Sequence, residues 1–126
     1  LDKSERILTS GCCIQASTRD YARFGLFILG GGIAQGKPVL PDGWIAEATT
    51  TWADTNRPEY GYGYQGWTLK DGSYAARGIF GQGIFIDPKR KLVIASNSNW
   101  PYASDRQGGD QDKKRTAFYR QGAKGD

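Results

Sequence analysis

Gly78, Gly81 and Gly83 punctuate the run Ala75-Ala76-Arg77-Gly78-Ile79-Phe80-Gly81-Gln82-Gly83-Ile84-Phe85-Ile86-Asp87-Pro88. A glycine within a strand leaves nothing to pack, so three so close together mark a bulge or a place where a ligand lies against the backbone. A twisted edge strand would satisfy the same local pattern. The run reads as the edge of an active site whose nucleophile is elsewhere. The chain has no histidine, which excludes a Ser-His-Asp triad and a His-rich metal site within it. Its two cysteines, Cys12 and Cys13, are adjacent; adjacency disfavours a bond between them, and no spaced ligand set remains. We expect neither a metal nor a redox cofactor.

The elements that would hold this run follow from periodicity. Gly83 to Ile86 and Leu92 to Ala95 are β-branched and aromatic runs bracketing Asp87-Pro88-Lys89-Arg90-Lys91, a hairpin connection. Upstream, Tyr60-Gly61-Tyr62-Gly63-Tyr64-Gln65-Gly66-Trp67-Thr68-Leu69 alternates aromatic with small residues and predicts a strand, ended by the turn residues Lys70-Asp71-Gly72-Ser73. The expectation is three antiparallel strands, at Tyr62 to Leu69, Tyr74 to Ile86 and Leu92 to Asn97. Ser17-Thr18-Arg19-Asp20 resembles a capping box, followed by helical spacing of Tyr21, Phe24 and Ile28 beside Ala22, Gly25 and Leu29 until Gly30-Gly31-Gly32 stops it. That stripe reads as core, and Asp20 as a cap. A short helix is expected from Pro41 through Trp44, Ile45 and Ala48, weakening at Thr49-Thr50-Thr51. Gly36 to Leu40 reads as a turn, Trp52 to Pro58 as irregular, Trp100 to Gly109 as a loop, and Gln111 to Gln121 as a terminal helix. The fold class is α+β, an antiparallel sheet with flanking helices, in one segment: a helical region over 1–58, then strands and a terminal helix over 59–126.

A length of 126 residues suits one domain, and 18 glycines with 38% hydrophobic and 24% charged residues describe a globular, loop-rich chain. The net charge of +4 is dispersed; only Lys113-Lys114-Arg115 forms a basic run. On a terminal helix that triplet reads as a solvated face, so no nucleic-acid partner is expected. No run approaches the ~20 apolar residues of a membrane span, and Leu1 to Arg6 has no signal-peptide core. The absence of an initial methionine is read as a trimmed or partial chain.

Four stretches in order carry a family likeness: the Gly11 to Gly32 region opening Gly-Cys-Cys-Ile-Gln-Ala-Ser-Thr-Arg-Asp-Tyr-Ala-Arg-Phe-Gly, then Val39-Leu40-Pro41-Asp42-Gly43-Trp44, Tyr60-Gly61-Tyr62-Gly63-Tyr64 and Gly78-Ile79-Phe80-Gly81-Gln82. Together they resemble the β-lactamase-related serine hydrolases, most nearly the 6-aminohexanoate-dimer (nylon-oligomer) hydrolases and class C-like esterases, in their C-terminal portion. The resemblance implies part of a β-lactamase/transpeptidase-like fold acting on a small-molecule amide or ester. It also implies a serine activated by the lysine of a Ser-x-x-Lys turn and aided by a tyrosine, because a neutral hydroxyl needs a nearby base. No serine here has a lysine three positions later, and no tyrosine begins a Tyr-x-Asn. The nucleophile, base and catalytic tyrosine are therefore expected upstream of Leu1, in the N-terminal part of the same enzyme, which would also cover apolar surface left open here.

Where the family carries Lys-Thr-Gly or a substitute, this chain has Ala76-Arg77-Gly78. The resemblance implies that the Ile79 backbone N–H is one oxyanion donor, a contribution of roughly 3 kcal/mol in an assembled site, and that Gly78 lets substrate lie along the strand. Arg77 is either a contact for an anionic substrate end or an outward-facing surface residue. Gln82 either hydrogen-bonds substrate or holds the turn, and Tyr62 and Trp67 either wall the cleft or pack in the core. Two readings outside catalysis remain: a stand-alone module binding a sugar or peptide through the Tyr/Trp-rich strand, and a purely structural fragment.

Overall fold

The computed structural model describes residues 14–124; Cys12 and Cys13 lie outside them. Helix α1 spans Thr18–Leu29 and a small hairpin follows, β1 at Ile33–Ala34 and β2 at Lys37–Pro38. Then come α2 at Trp44–Ala48, β3 at Ala53–Asp54, β4 at Tyr60–Tyr62, β5 at Trp67–Leu69 and β6 at Tyr74–Arg77. A 3-10 turn at Ile79–Gly81 leads to β7 at Gly83–Asp87, β8 at Leu92–Ser96 and α3 at Gln111–Gly122. Strands β3 to β8 form one antiparallel meander in sequence order, so the architecture is α+β with helices flanking an antiparallel sheet.

The sheet has six strands where three were expected. The Tyr62 to Leu69 strand is two, because Gly63 to Gly66 closes a turn with the Gly63 N–H donating to Gly66 O at 2.8 Å and Gln65 at φ 54°. The Tyr74 to Ile86 strand is broken at Ile79–Gly81. Ala53–Asp54 pairs with Gly61 and Tyr62 inside the stretch read as irregular, and the turn before Leu40 is a hairpin about Gln35 (φ 50°) and Gly36 (φ 73°). Helix α2 starts after Gly43 rather than at Pro41, since Gly43 sits at φ +78°, outside helical space.

Strand β7 is buried along its whole length and is the spine of the molecule. Its alternation sends Phe85 to one face, where it stacks on Tyr119 of α3 at 5.3 Å between ring centres beside Ala75 and Ala123. Ile84 points to the other face, under α1. There Gly25 comes so close that an added Cβ would lie 2.5 Å from Val93 Cγ1 and 2.9 Å from Ile84 Cγ2. Each large apolar side chain of β7 contributes about 1.5–3 kcal/mol by burial. The hairpin after β7 is fixed by buried Asp87, which accepts from the Arg90 N–H and Nη1.

Helix α1 begins as expected: Ser17 Oγ accepts from the Asp20 N–H at 3.2 Å and donates to the Asp20 carboxylate at 2.6 Å. Its stripe is only half core, because Phe24 is 54% exposed while Gly25 is buried. No helix among the described residues is long and apolar enough to cross a membrane.

Candidate active site

The three glycines expected to mark a bulge or a ligand's approach fall at the junction of β6 and β7, where the chain leaves the ladder after Arg77 and rejoins it at Gly83. The Gly78 N–H donates to Gln82 O at 2.9 Å, closing a loop around Ile79, Phe80 and Gly81. Phe80 is left-handed (φ 59°, ψ 15°), a conformation a bulky residue adopts only when its surroundings impose it. Those surroundings are the 98–103 loop: the Phe80 N–H donates to Ala103 O and the Trp100 N–H to Phe80 O, both at 3.3 Å. Gly81, at φ +98°, is pressed so closely that a Cβ would lie 2.6 Å from Ser98 Cβ and from the Trp100 ring. Ile79 leads this turn and is 63% exposed; the first N–H groups of a helix have no acceptor inside it.

A cleft of about 220 Å³ runs beside the turn, between α1 and the β6–β7 junction, its lining including Tyr21, Gln65, Ala76, Arg77, Gly78 and Gln82. A smaller pocket of about 120 Å³, with Trp67, Arg77, Trp100 and Arg115 in its walls, also touches Gly78. A wider groove, about 740 Å³, lies between β4 and α3, and its charged lining includes none of residues 78–82.

Below the turn lies an ionic cluster centred on Asp112. Its Oδ1 accepts from Arg77 Nη2 and, at 2.7 Å, from Arg115 Nη2, while Oδ2 accepts from Arg57 Nη1 at 2.9 Å. Burial works against ionising Asp112, but Arg77 foremost, then Arg57 and Arg115, outweigh it and hold the carboxyl at about 2. The Arg77 guanidinium lies 4.8 Å from the Tyr60 ring centre and 6.0 Å from that of Trp67. The outward-facing reading of Arg77 therefore fails: its side chain is 8% exposed and turned towards α3.

Arg77, Gly78, Ile79 and Gln82 thus share one turn, and Trp67, opposite Ala75 on the next strand, reaches the smaller pocket. Tyr62 instead meets Trp67 edge to face at 5.3 Å and lines neither cavity beside the turn. Gln82 both lines the cleft and packs against Gly78, where a Cβ would come within 2.9 Å of Gln82 Oε1.

Four residues at the site lay outside the sequence reading of it. Tyr21 and Gln65 line the cleft, and Asp112 and Arg115 underlie the turn. Arg115 corrects the expectation of a wholly solvated Lys113-Lys114-Arg115 face, being buried while its neighbours are exposed. The signal was there in the spacing: Asp112, Arg115, Tyr119 and Ala123 recur at helical intervals, so Arg115 shares the inward face of α3 with two core residues.

A turn beside a cleft, in an antiparallel sheet flanked by helices, agrees with the match of residues 10–117 to the Beta-lactamase family profile, and the chain belongs to that family. Among its relatives, the 6-aminohexanoate-dimer hydrolase of Paenarthrobacter ureafaciens is 34% identical over 99 residues, 70% of this chain and 25% of that protein. A solved Bacillus anthracis protein assigned to the 6-aminohexanoate-dimer hydrolases superposes with a TM-score of 0.61 at 27% identity, over 81% of this chain and 26% of its own. The chain spans about a quarter of the length of both.

Proposed function

We propose that this chain is the oxyanion and substrate-cleft portion of a serine hydrolase that cleaves a small-molecule amide or ester. The observation that carries the reading is the Gly78–Gln82 turn, whose Gly78 and Gln82 line the cleft with Tyr21 and Ala76, and whose first residue, Ile79, would present its N–H towards it. A carbonyl oxygen gaining charge during attack would accept from that N–H, and Gly78, lacking a side chain, would let substrate lie along β6. The serine, its lysine base and the catalytic tyrosine would come from another part of the same enzyme, since no Ser-x-x-Lys or Tyr-x-Asn occurs here. The amide class is favoured by the relatives' names; Gln65 and Gln82 are side-chain amides in the cleft suited to hydrogen-bond an amide.

Hydrolysis of p-nitrophenyl esters and of short amino-acid amides separates the possibilities. The expected result is turnover by the full-length gene product, its loss on Ser→Ala in a Ser-x-x-Lys of that product, and none by the 126-residue chain alone. Turnover by this chain unaided would overturn the division of labour.

A second reading has one observation of its own. Trp52 and Tyr64 stack at 6.3 Å while 61% and 45% exposed, and Trp44 meets Tyr64 edge-on at 6.1 Å. Such a platform suits a sugar or peptide without chemistry. Saturable quenching of tryptophan fluorescence by an oligosaccharide, removed by Trp52→Ala in a chain with no hydrolytic parent, is the result it requires.

A further inference from the structure

We infer that Arg115, anchored by Asp112, is a positioning residue that fixes the Ile79 N–H in the geometry an oxyanion needs. The inference rests on the hydrolase reading for its catalytic half; its structural half stands on distances alone. Arg115 Nη1 donates to Gln82 O at 2.6 Å and to Gly78 O at 3.3 Å, the two residues that close the turn, and Nη2 donates to Asp112 Oδ1. One planar fork therefore ties both feet of the turn to one carboxylate on α3. The guanidinium also lies 4.7 Å from the Trp100 ring centre, and the Trp100 N–H holds Phe80 O at the crown of the same turn.

Three features point to positioning rather than general support. Gln82 O already accepts from the Gly78 N–H, so Arg115 reinforces the bond that sets the turn's width. The turn stores strain at Phe80, and strained backbone persists only where its surroundings over-determine it. The side chain is 7% exposed and its Nε has no partner among the described residues, so its placement costs desolvation that only these bonds offset. A lysine would keep the charge and lose the fork, because one ammonium cannot span two carbonyls and a carboxylate in plane.

The test uses the full-length gene product and the variants Arg115→Gln and Arg115→Lys, with Arg120→Gln as the control on the same helix, where Arg120 pairs with Glu59 at the surface. Amide hydrogen exchange reads the turn directly. In both Arg115 variants the Gly78 and Phe80 amides should lose at least about tenfold more protection than the β7 amides, and in Arg120→Gln they should not. Ester hydrolysis, normalised to the folded fraction, should show kcat lowered about 10–100-fold with KM within about twofold, because a displaced donor is felt chiefly in the transition state. Arg115→Lys, which keeps the buried charge, secures the measurement should Arg115→Gln fail to fold. Loss of protection in step across turn and β7, or an opened turn with unchanged kcat, would overturn the inference. No turnover in the unsubstituted protein would count against the hydrolase reading, and the exchange measurement would still decide whether Arg115 holds the turn.

Discussion

At the scale of single residues, the turn depends on groups whose value comes from position rather than type. Gly81 is held at φ +98° against Ser98 and Trp100, so Gly81→Ala adds both a strained conformation and a clash with backbone-anchored neighbours. We expect a loss of roughly 2–4 kcal/mol in urea unfolding, near the upper range for single substitutions. Asp112 gives a second expectation with a definite sign. Its folded-state pKa of about 2 lies below the ~3.9 of an unfolded aspartate, so its stabilisation is complete above about pH 4 and is lost as pH falls through about 2. Unfolding followed from about pH 5 downward should show this loss in the unsubstituted chain and a shallower one in Asp112→Asn, which already lacks the charge. The glycines of the turn were legible in the sequence because glycine in a strand demands an explanation. The partners of the turn were not, because Asp112 and Arg115 lie more than thirty residues away from Arg77 and Gly78 and meet them only through the docking of α3.

At the scale of elements, α1 and the β7–β8 hairpin were visible because their periods are long and well capped. Ser17 begins the helix, Gly30 to Gly32 end it, and Asp87 to Lys91 turn the hairpin. The strands that escaped notice are two or three residues long, too short for a period of two to rise above the glycine spacing that interrupts it. How closely α1 approaches the sheet was also hidden, since Gly25 reads as a weak helix residue until Val93 and Ile84 are set against it. Gly25→Ala improves helix propensity by ~1 kcal/mol, yet its Cβ would stand 2.5 Å from Val93 Cγ1, and overpacking in a tight contact costs about 1–3 kcal/mol. Net destabilisation is therefore expected by thermal unfolding. Val93→Ala should be less harmful on the Gly25→Ala background than alone, because the cavity it leaves is the space the new methyl needs. Strict additivity of the two changes would contradict this account of the contact.

At the scale of the whole molecule, the sheet stops at β8, whose outer edge has no strand partner among the described residues. Leu92 to Ser96 is β-prone, without charge and only half-buried, which is the composition that edge strands normally avoid. Phe24 and Leu26, 54% and 56% exposed on α1, leave apolar area uncovered on the helix that packs over the same strand. A proposed N-terminal part of the enzyme would account for both by continuing the sheet past β8 and covering α1. The chain alone should then associate with itself, and sedimentation should show its mean mass rising with concentration. In the full-length gene product that association should vanish, and the outward-pointing amides of β8 should become as slow to exchange as those of β7. Outward β8 amides that exchange freely in the full-length product would mean that whatever completes the active site docks elsewhere, leaving the β6–β7 turn open to its nucleophile from the α1 side alone.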